Sequence, residues 1–227
     1  MSKRRGPYSS PLQQARKQRI LHAARLQLER HGLAALTMQS IAESSETSLK
    51  TLYNLYGSRD LLLLAAAAEL LDDLEESVPV QNSEPGIPRL LAFTAGVMKG
   101  FEYTPEYARV IVSILMRAEK DHPSANAQLG RIQEIAHEAL CTANEQGELE
   151  PGLDLEELSC LVCANQWGIA LLWEKGMLGL EQLEVQTNLN HYLTLTPLCR
   201  GKRKKMMKQK LQILLKGSAA LGSPSMR

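Results

Sequence analysis

The chain has 227 residues, 44% of them hydrophobic but only 4% aromatic, with a formal net charge of +1. Its longest apolar run, Leu61–Ala68, is eight residues, far short of the ~18 that a membrane span needs. Four cysteines are too few for a disulfide scaffold, and the basic N-terminus leads into no apolar secretory segment, so a soluble, cytoplasmic protein with reduced thiols is expected.

The near-zero net charge hides a strong partition. Residues 1–60 carry ten Lys/Arg against four Asp/Glu, residues 61–199 carry seven against 21, and residues 200–227 carry nine with no acid. Basic ends around an acidic middle point to a polyanion contact at the N-terminus and exclude nucleic acid from the middle. Many Leu and Ala with few aromatics favour an all-α chain over sheet.

In chain order, residues 1–9 form a basic arm with Lys3, Arg4 and Arg5, suited either to DNA contact or to solubility. A first helix opens at Ser10-Pro11 and runs to about His31, where Gly32 ends it. Ile20, Leu21, Ala24 and Leu28 are its buried stripe. Arg16, Lys17 and Arg19 suit a DNA backbone as well as a solvated face. Thr37 is an N-cap for a short helix with Met38, Ile41 and Ala42 on one face. The run Glu43–Thr47 is too polar to pack and reads as a turn. Ser48 then caps a second short helix with Leu52 and Leu55 inward and Lys50, Thr51, Tyr53 and Asn54 outward. A helix showing hydroxyls, an amide and a cation suits a DNA major groove.

The residues Ile20-Leu21, Ala23-Ala24, Gly32, Thr37, Ile41-Ala42-Glu43, Ser48, Thr51-Leu52-Tyr53, Tyr56 and Ser58-Arg59-Asp60-Leu61 carry a resemblance. Over Ile20–Leu64 the chain resembles the N-terminal domain of the TetR family of transcriptional regulators. The resemblance implies an N-terminal three-helix helix-turn-helix domain followed by a larger α-helical effector-binding and dimerisation domain. It implies phosphate contacts at Ser48, Thr51, Tyr53 and Arg59, which set register more than sequence preference, and adds Tyr56 to the DNA-binding set. Thr37 and Gln39 stand where a helix N-terminus holds a phosphate. Lys50 and Asn54 are the candidates for base reading: Asn can bond an adenine edge twice, and Lys can reach guanine O6/N7. The chain departs from the family pattern at Glu46, Thr47, Leu49, Lys50 and Leu55, so its sequence preference is expected to differ from that of better-known members.

A fourth helix, about 58–77, is capped by Ser58; in the family it links head to body and transmits the effector signal. The domains expected are 1–60, 78–199 and 200–227, with the Pro- and Gly-containing stretch 78–88 as the joint. Body helices are expected at about 86–102, 105–119, 124–147, 154–175 and 180–196. By the resemblance the last two pair with their copies in a homodimer. Their stripes are Leu161, Ala164, Gly168, Leu171 and Leu172, then Leu180, Leu183, Leu189 and Leu193. Dimerisation also follows from the small surface one reading helix buries. Residues 200–227 are expected to be a basic, disordered tail, although the first part could form a short basic amphipathic helix with Met206, Leu211 and Leu214-Leu215; a further DNA contact or an anionic membrane or partner contact are alternatives.

Cys160 and Cys163 form a single CxxC in mid-helix and read as buried small residues; Glu134, His137, Glu138 and Cys141 share a helix face that also suits a solvated surface. No GxGxxG, P-loop, GxSxG or HExxH occurs, so neither an enzyme, a cofactor nor a metal is expected. The resemblance implies a body pocket for a small, hydrophobic effector, with Phe93, Met98, Phe101, Tyr103, Tyr107, Met116 and Trp167 as candidate lining; ordinary core packing is the competing reading. The function implied is a repressor that binds a palindromic operator as a dimer and leaves it on binding the effector. The alternative is an effector-independent helical DNA-binding, architectural or interaction protein.

Overall fold

The computed structural model describes residues 11–120 and 122–220, with the side chains of residues 12–120 and 122–216. The arm 1–9, the Ser10 cap and the last seven residues of the expected tail lie outside them. Among the described residues the regular secondary structure is all helix, apart from one antiparallel bridge between Leu149 and Cys199. It forms two compact units divided between Glu69 and Leu70.

The first unit begins with α1 (Pro11–Ala35), α2 (Met38–Ser44) and α3 (Leu49–Tyr56). α1 is interrupted at Gly32, whose φ of 71° suits a residue without Cβ. Thr37 and Ser40 cap α2 reciprocally: each hydroxyl accepts from the other's backbone N–H, both at 3.0 Å. α2 ends with a non-glycine residue in the left-handed region. Glu46 has φ 53°, and the N–H of Thr47 returns to the Ala42 carbonyl at 2.9 Å. Ser48 Oγ then accepts from the Thr51 N–H at 3.1 Å and starts α3. Ile20, Leu21, Leu28, Ile41 and Leu52 are fully buried, each contributing about 2 kcal/mol by burial. Gln27 donates from its amide to the Ser40 carbonyl at 2.8 Å and ties α1 to α2.

α4 (Arg59–Glu75) is capped by Ser58 Oγ, which accepts from the Leu61 N–H at 3.2 Å; Leu62, Leu63, Leu64, Ala66 and Ala67 are buried. The division between the units falls inside this helix.

The second unit contains α5 (Val78–Gln81), α6 (Ile87–Tyr103), α7 (Pro105–Arg117), α8 (Pro123–Glu145), α9 (Leu155–Glu174), α10 (Leu180–Leu195) and α11 (Gly201–Ala220). A 3-10 turn, Thr196–Leu198, joins the last two. Local chemistry explains most starts: Pro105 and Pro123 stand in first helical turns, and Asp154 Oδ1 accepts from the Glu157 N–H at 3.0 Å. Two apolar clusters fill this unit. One gathers Leu90, Ile132, Leu140, Leu158, Val162, Leu195 and Met207. The other gathers Met98, Val112, Ile169, Ala170, Trp173 and Leu183.

The disordered tail expected after residue 199 is corrected here. Residues 201–220 form α11, packed against α10 and the 3-10 turn. Arg203 is buried; its Nε donates to Glu148 Oε2 at 2.8 Å and its Nη2 to Glu84 Oε2 at 2.9 Å. Met207, one turn on, enters the first cluster, and Leu211 and Leu214 continue the half-buried stripe. Backbone bonds Glu150 N–H to Leu198 O (2.9 Å) and Arg200 N–H to Glu148 O (2.8 Å) hold the approach. The amphipathic stripe is legible in the sequence, but its polar anchors are not, because they lie 55 and 119 residues away.

Candidate nucleic-acid interface and body core

α3 divides its side chains by angle. Leu52 is buried and Leu49 and Tyr56 are half-buried, all on one arc; Lys50, Tyr53 and Asn54 are exposed on the other, with Thr51 half-buried beside them. The cap fixes the start of this face, because Ser48 Oγ also lies 2.8 Å from Thr51 Oγ1. Both hydroxyls retain lone pairs or protons for an outside partner. On α2, Thr37 and Gln39 are exposed, and Gln39 Nε2 donates to Glu43 Oε1 at 2.7 Å.

Three sequence expectations change at this face. Leu55 does not point inward: it is 54% exposed, and Tyr56, four residues after Leu52, takes the inward place. Tyr56, expected among the DNA-binding residues, therefore does not present its hydroxyl outward. Its hydroxyl is buried without a hydrogen-bond partner, and burial, then the nearby Glu69 carboxylate, pushes its pKa up to about 12. Arg59 is committed inward as well: Nη1 donates to the Leu33 carbonyl (3.4 Å) and the Leu36 carbonyl (3.2 Å), and Nε to Asp60 Oδ1 (3.3 Å). It clamps the end of α1 to the start of α4 within the first unit. Spacing alone could not show this, since an arginine one residue into a helix suits a carbonyl as well as a phosphate.

In the body, Met98, Phe101, Met116 and Trp167 gather in or against the second cluster, and Phe93 and Tyr107 are buried. Tyr103 is not part of any interior lining: at the last residue of α6 it is 83% exposed. Trp173, which sequence reasoning passed over, is the anchor of this cluster. Its ring lies 5.2 Å from that of Phe101, and the Arg109 guanidinium stacks on it at 4.5 Å. Arg109 Nη1 also donates at 2.9 Å to the carbonyls of Trp173 and Glu174, capping α9 with a cation. Sequence reasoning also missed four buried polar residues, Thr94, Gln166, Thr187 and His191. Their polar identity disguised them as helix surface, although each lies four residues from a buried position.

Of the candidate interface residues, Leu161, Ala164, Gly168 and Leu172 form an exposed row along α9, and Leu193 is exposed on α10; Leu171 and Leu189 are half-buried. Asn165 Nδ2 donates to Thr194 Oγ1 at 3.3 Å and ties the two helices together. Leu183 is a correction, since it is 1% exposed and packs in its own chain's second cluster.

Cys160 is exposed while Cys163 is buried, its pKa pushed up to about 11 by burial and then by Cys160. His137 Nε2 lies 3.6 Å from Glu156, and Glu134 lies beside Arg131. Among the described residues no group of three His, Cys, Asp or Glu is placed to hold a metal ion, and no helix is long and apolar enough to cross a membrane.

The fold and the α3 face define the class: a helix-turn-helix protein with a small N-terminal unit and a larger all-helical one. Residues 20–71 match the model of the bacterial regulatory proteins, tetR family. The chain is 35% identical over 71 residues to the nicotine-responsive transcriptional repressor HdnoR of Paenarthrobacter nicotinovorans, a match covering 30% of this chain and 37% of that repressor. Among solved structures, FadR of Thermus thermophilus, a transcriptional repressor in complex with lauroyl-CoA, superposes with a TM-score of 0.62 at 22% identity, over 82% of this chain and 96% of FadR. SmeT, repressor of the Stenotrophomonas maltophilia efflux pump SmeDEF, does so with 0.59 at 17%, over 82% and 92%. SmeT has also been solved as a triclosan complex. Residues 20–71 thus form a helix-turn-helix segment similar to that of the tetR family of bacterial regulatory proteins, and over the rest of the chain the likeness is one of fold.

Proposed function

We propose that this protein is a cytoplasmic, homodimeric transcriptional repressor that reads a palindromic operator with α3 and is released by a small, largely apolar effector bound in the second unit. The observation that carries the reading is the outward set Lys50, Tyr53 and Asn54, with Thr51 beside them, on a helix anchored by buried Leu52. Lys50 and Asn54 read base edges; Thr37, Gln39, Ser48, Thr51 and Tyr53 hold phosphates. Tyr56 and Arg59 hold the head together. Two copies joined through α9 and α10 supply the two half-sites. Support for an effector comes from HdnoR, named as nicotine-responsive, and from FadR and SmeT, solved with lauroyl-CoA and triclosan. Effector and DNA then lower each other's affinity by the same factor.

The test is fluorescence anisotropy against the protein's own upstream intergenic DNA and a scrambled duplex, at several salt concentrations. Saturable binding to the upstream fragment alone is expected. Equal, steeply salt-dependent binding to both would instead support an architectural protein held by counterion release. Tyr53→Phe should weaken all operator variants alike, by about 1 kcal/mol. Asn54→Ala should remove about 1–3 kcal/mol of discrimination at one base pair. Uniform losses for both variants would refute this division of roles.

A further inference from the structure

The two apolar clusters of the second unit are separated by a layer of polar side chains, placed by three stripes of four-residue spacing. On α6, Leu90 belongs to the first cluster and Met98 to the second, with Thr94 between. On α9, Val162 and Ala170 stand in the same relation, with Gln166 between. α10 runs antiparallel to α6: Leu195 is in the first cluster and Leu183 in the second, with His191 and Thr187 between. The hydrogen bond from Thr187 Oγ1 to Met98 Sδ (3.5 Å) fixes this register, and one turn along each antiparallel helix from that pair stand His191 and Thr94. Trp167 packs against both clusters and borders the layer.

Two atoms in this layer have no partner. His191 is 3% exposed; its Nδ1–H donates to the Thr187 carbonyl at 2.8 Å, leaving Nε2 as a buried acceptor with nothing bonded to it. Thr94 is 1% exposed, and its hydroxyl is likewise buried and unbonded. Leaving buried polar atoms unpaired is costly, and apolar residues at these positions would join the clusters without that cost. A partner from outside the chain resolves the imbalance.

We propose that Thr94 and His191 are the polar anchor of the ligand site, binding one hydroxyl group of an otherwise apolar, uncharged molecule that lies between the two clusters. A ligand hydroxyl donates to Nε2 of His191 and accepts from the Thr94 hydroxyl, which satisfies both orphaned atoms at once. Gln166 and Thr187 flank the group, and no carboxylate belongs to the layer, which disfavours a cationic ligand. Burial lowers the pKa of His191, so the imidazole is neutral and retains the lone pair the contact needs. This inference rests on the effector reading above and assigns its chemistry.

The experiment is calorimetric titration of the full chain with 4-butylphenol and with its methyl ether, 4-butylanisole, which cannot donate. The phenol is expected to bind saturably and at least tenfold more tightly than the ether. His191→Phe and the isosteric Thr94→Val should each erase that preference while the chain stays folded by circular dichroism. No phenol binding, or equal affinity for phenol and ether in the wild type, overturns the proposal. A preference unchanged in folded Thr94→Val and in a second variant, His191→Leu, overturns the residue assignment. Operator binding is read separately in the same preparations. Loss of phenol preference with intact operator binding condemns the anchor alone, whereas phenol binding without any operator binding leaves the anchor standing and condemns the regulator reading.

Discussion

A histidine closed inside an apolar body makes folding sensitive to acid. Burial holds the pKa of His191 below its ordinary value of 6.5, partly offset by the bond to the Thr187 carbonyl. The folded chain keeps this ring neutral while the unfolded chain protonates it below about 6.5, so the unfolded state binds more protons in that window. The stability involved is complete above the unfolded pKa and is lost as pH falls toward the folded one, with a slope of at most ~1.4 kcal/mol per pH unit. Urea midpoints of the wild type should therefore fall more between about pH 7 and about pH 5 than those of His191→Leu. Parallel curves would mean that the ring is protonated in the fold. Tyr56 and Arg59 teach the same lesson of side-chain direction. Both residues match the family's contact pattern, yet one buries its hydroxyl and the other bonds two carbonyls. Residue identity was legible at those positions; direction was not, because it depends on groups as far away as Glu69 and Leu33.

At the scale of elements, helices that start with local chemistry were the legible ones. Thr37, Ser48, Ser58 and Asp154 accept from backbone N–H groups three residues on, a signal contained in four consecutive letters. α11 lacks such a signal, and its order depends on Arg203 meeting Glu148 and Glu84. Arg203→Ala should remove about 2 kcal/mol, the scale of a hydrogen bond to a charged group. It should also loosen α11, reducing helical circular dichroism and speeding tryptic cleavage at Lys204, Lys205 and Lys208. Unchanged ellipticity and protease resistance would show that Met207 and the backbone bonds to Glu148 and Glu150 suffice. The α2–α3 turn shows the opposite balance. Glu46 accepts a left-handed conformation at a cost of about 1 kcal/mol, because the surrounding cap bonds fix the turn whatever residue fills it.

For the whole molecule, the exposed row on α9 together with Leu193 on α10 is the apolar surface that the proposed dimer would bury. Leu161→Asp combined with Leu193→Asp should convert a dimer to a monomer by sedimentation equilibrium and reduce operator affinity at least a hundredfold, because one reading helix contacts one half-site. A variant that remains dimeric would place the interface elsewhere. The sequence by itself determined the all-helical class, the helix-turn-helix with its outward Lys50, Tyr53 and Asn54, and the approximate spans of the body helices. Caps, helix breakers and apolar periodicity act over one or two turns and are written in neighbouring letters. Only the tertiary structure decided that Leu183 faces its own core, that Tyr103 lies outside it, that α11 is docked, and that Thr94 and His191 share one layer. Those outcomes depend on which helix lies opposite which, a choice made by packing between residues dozens of positions apart.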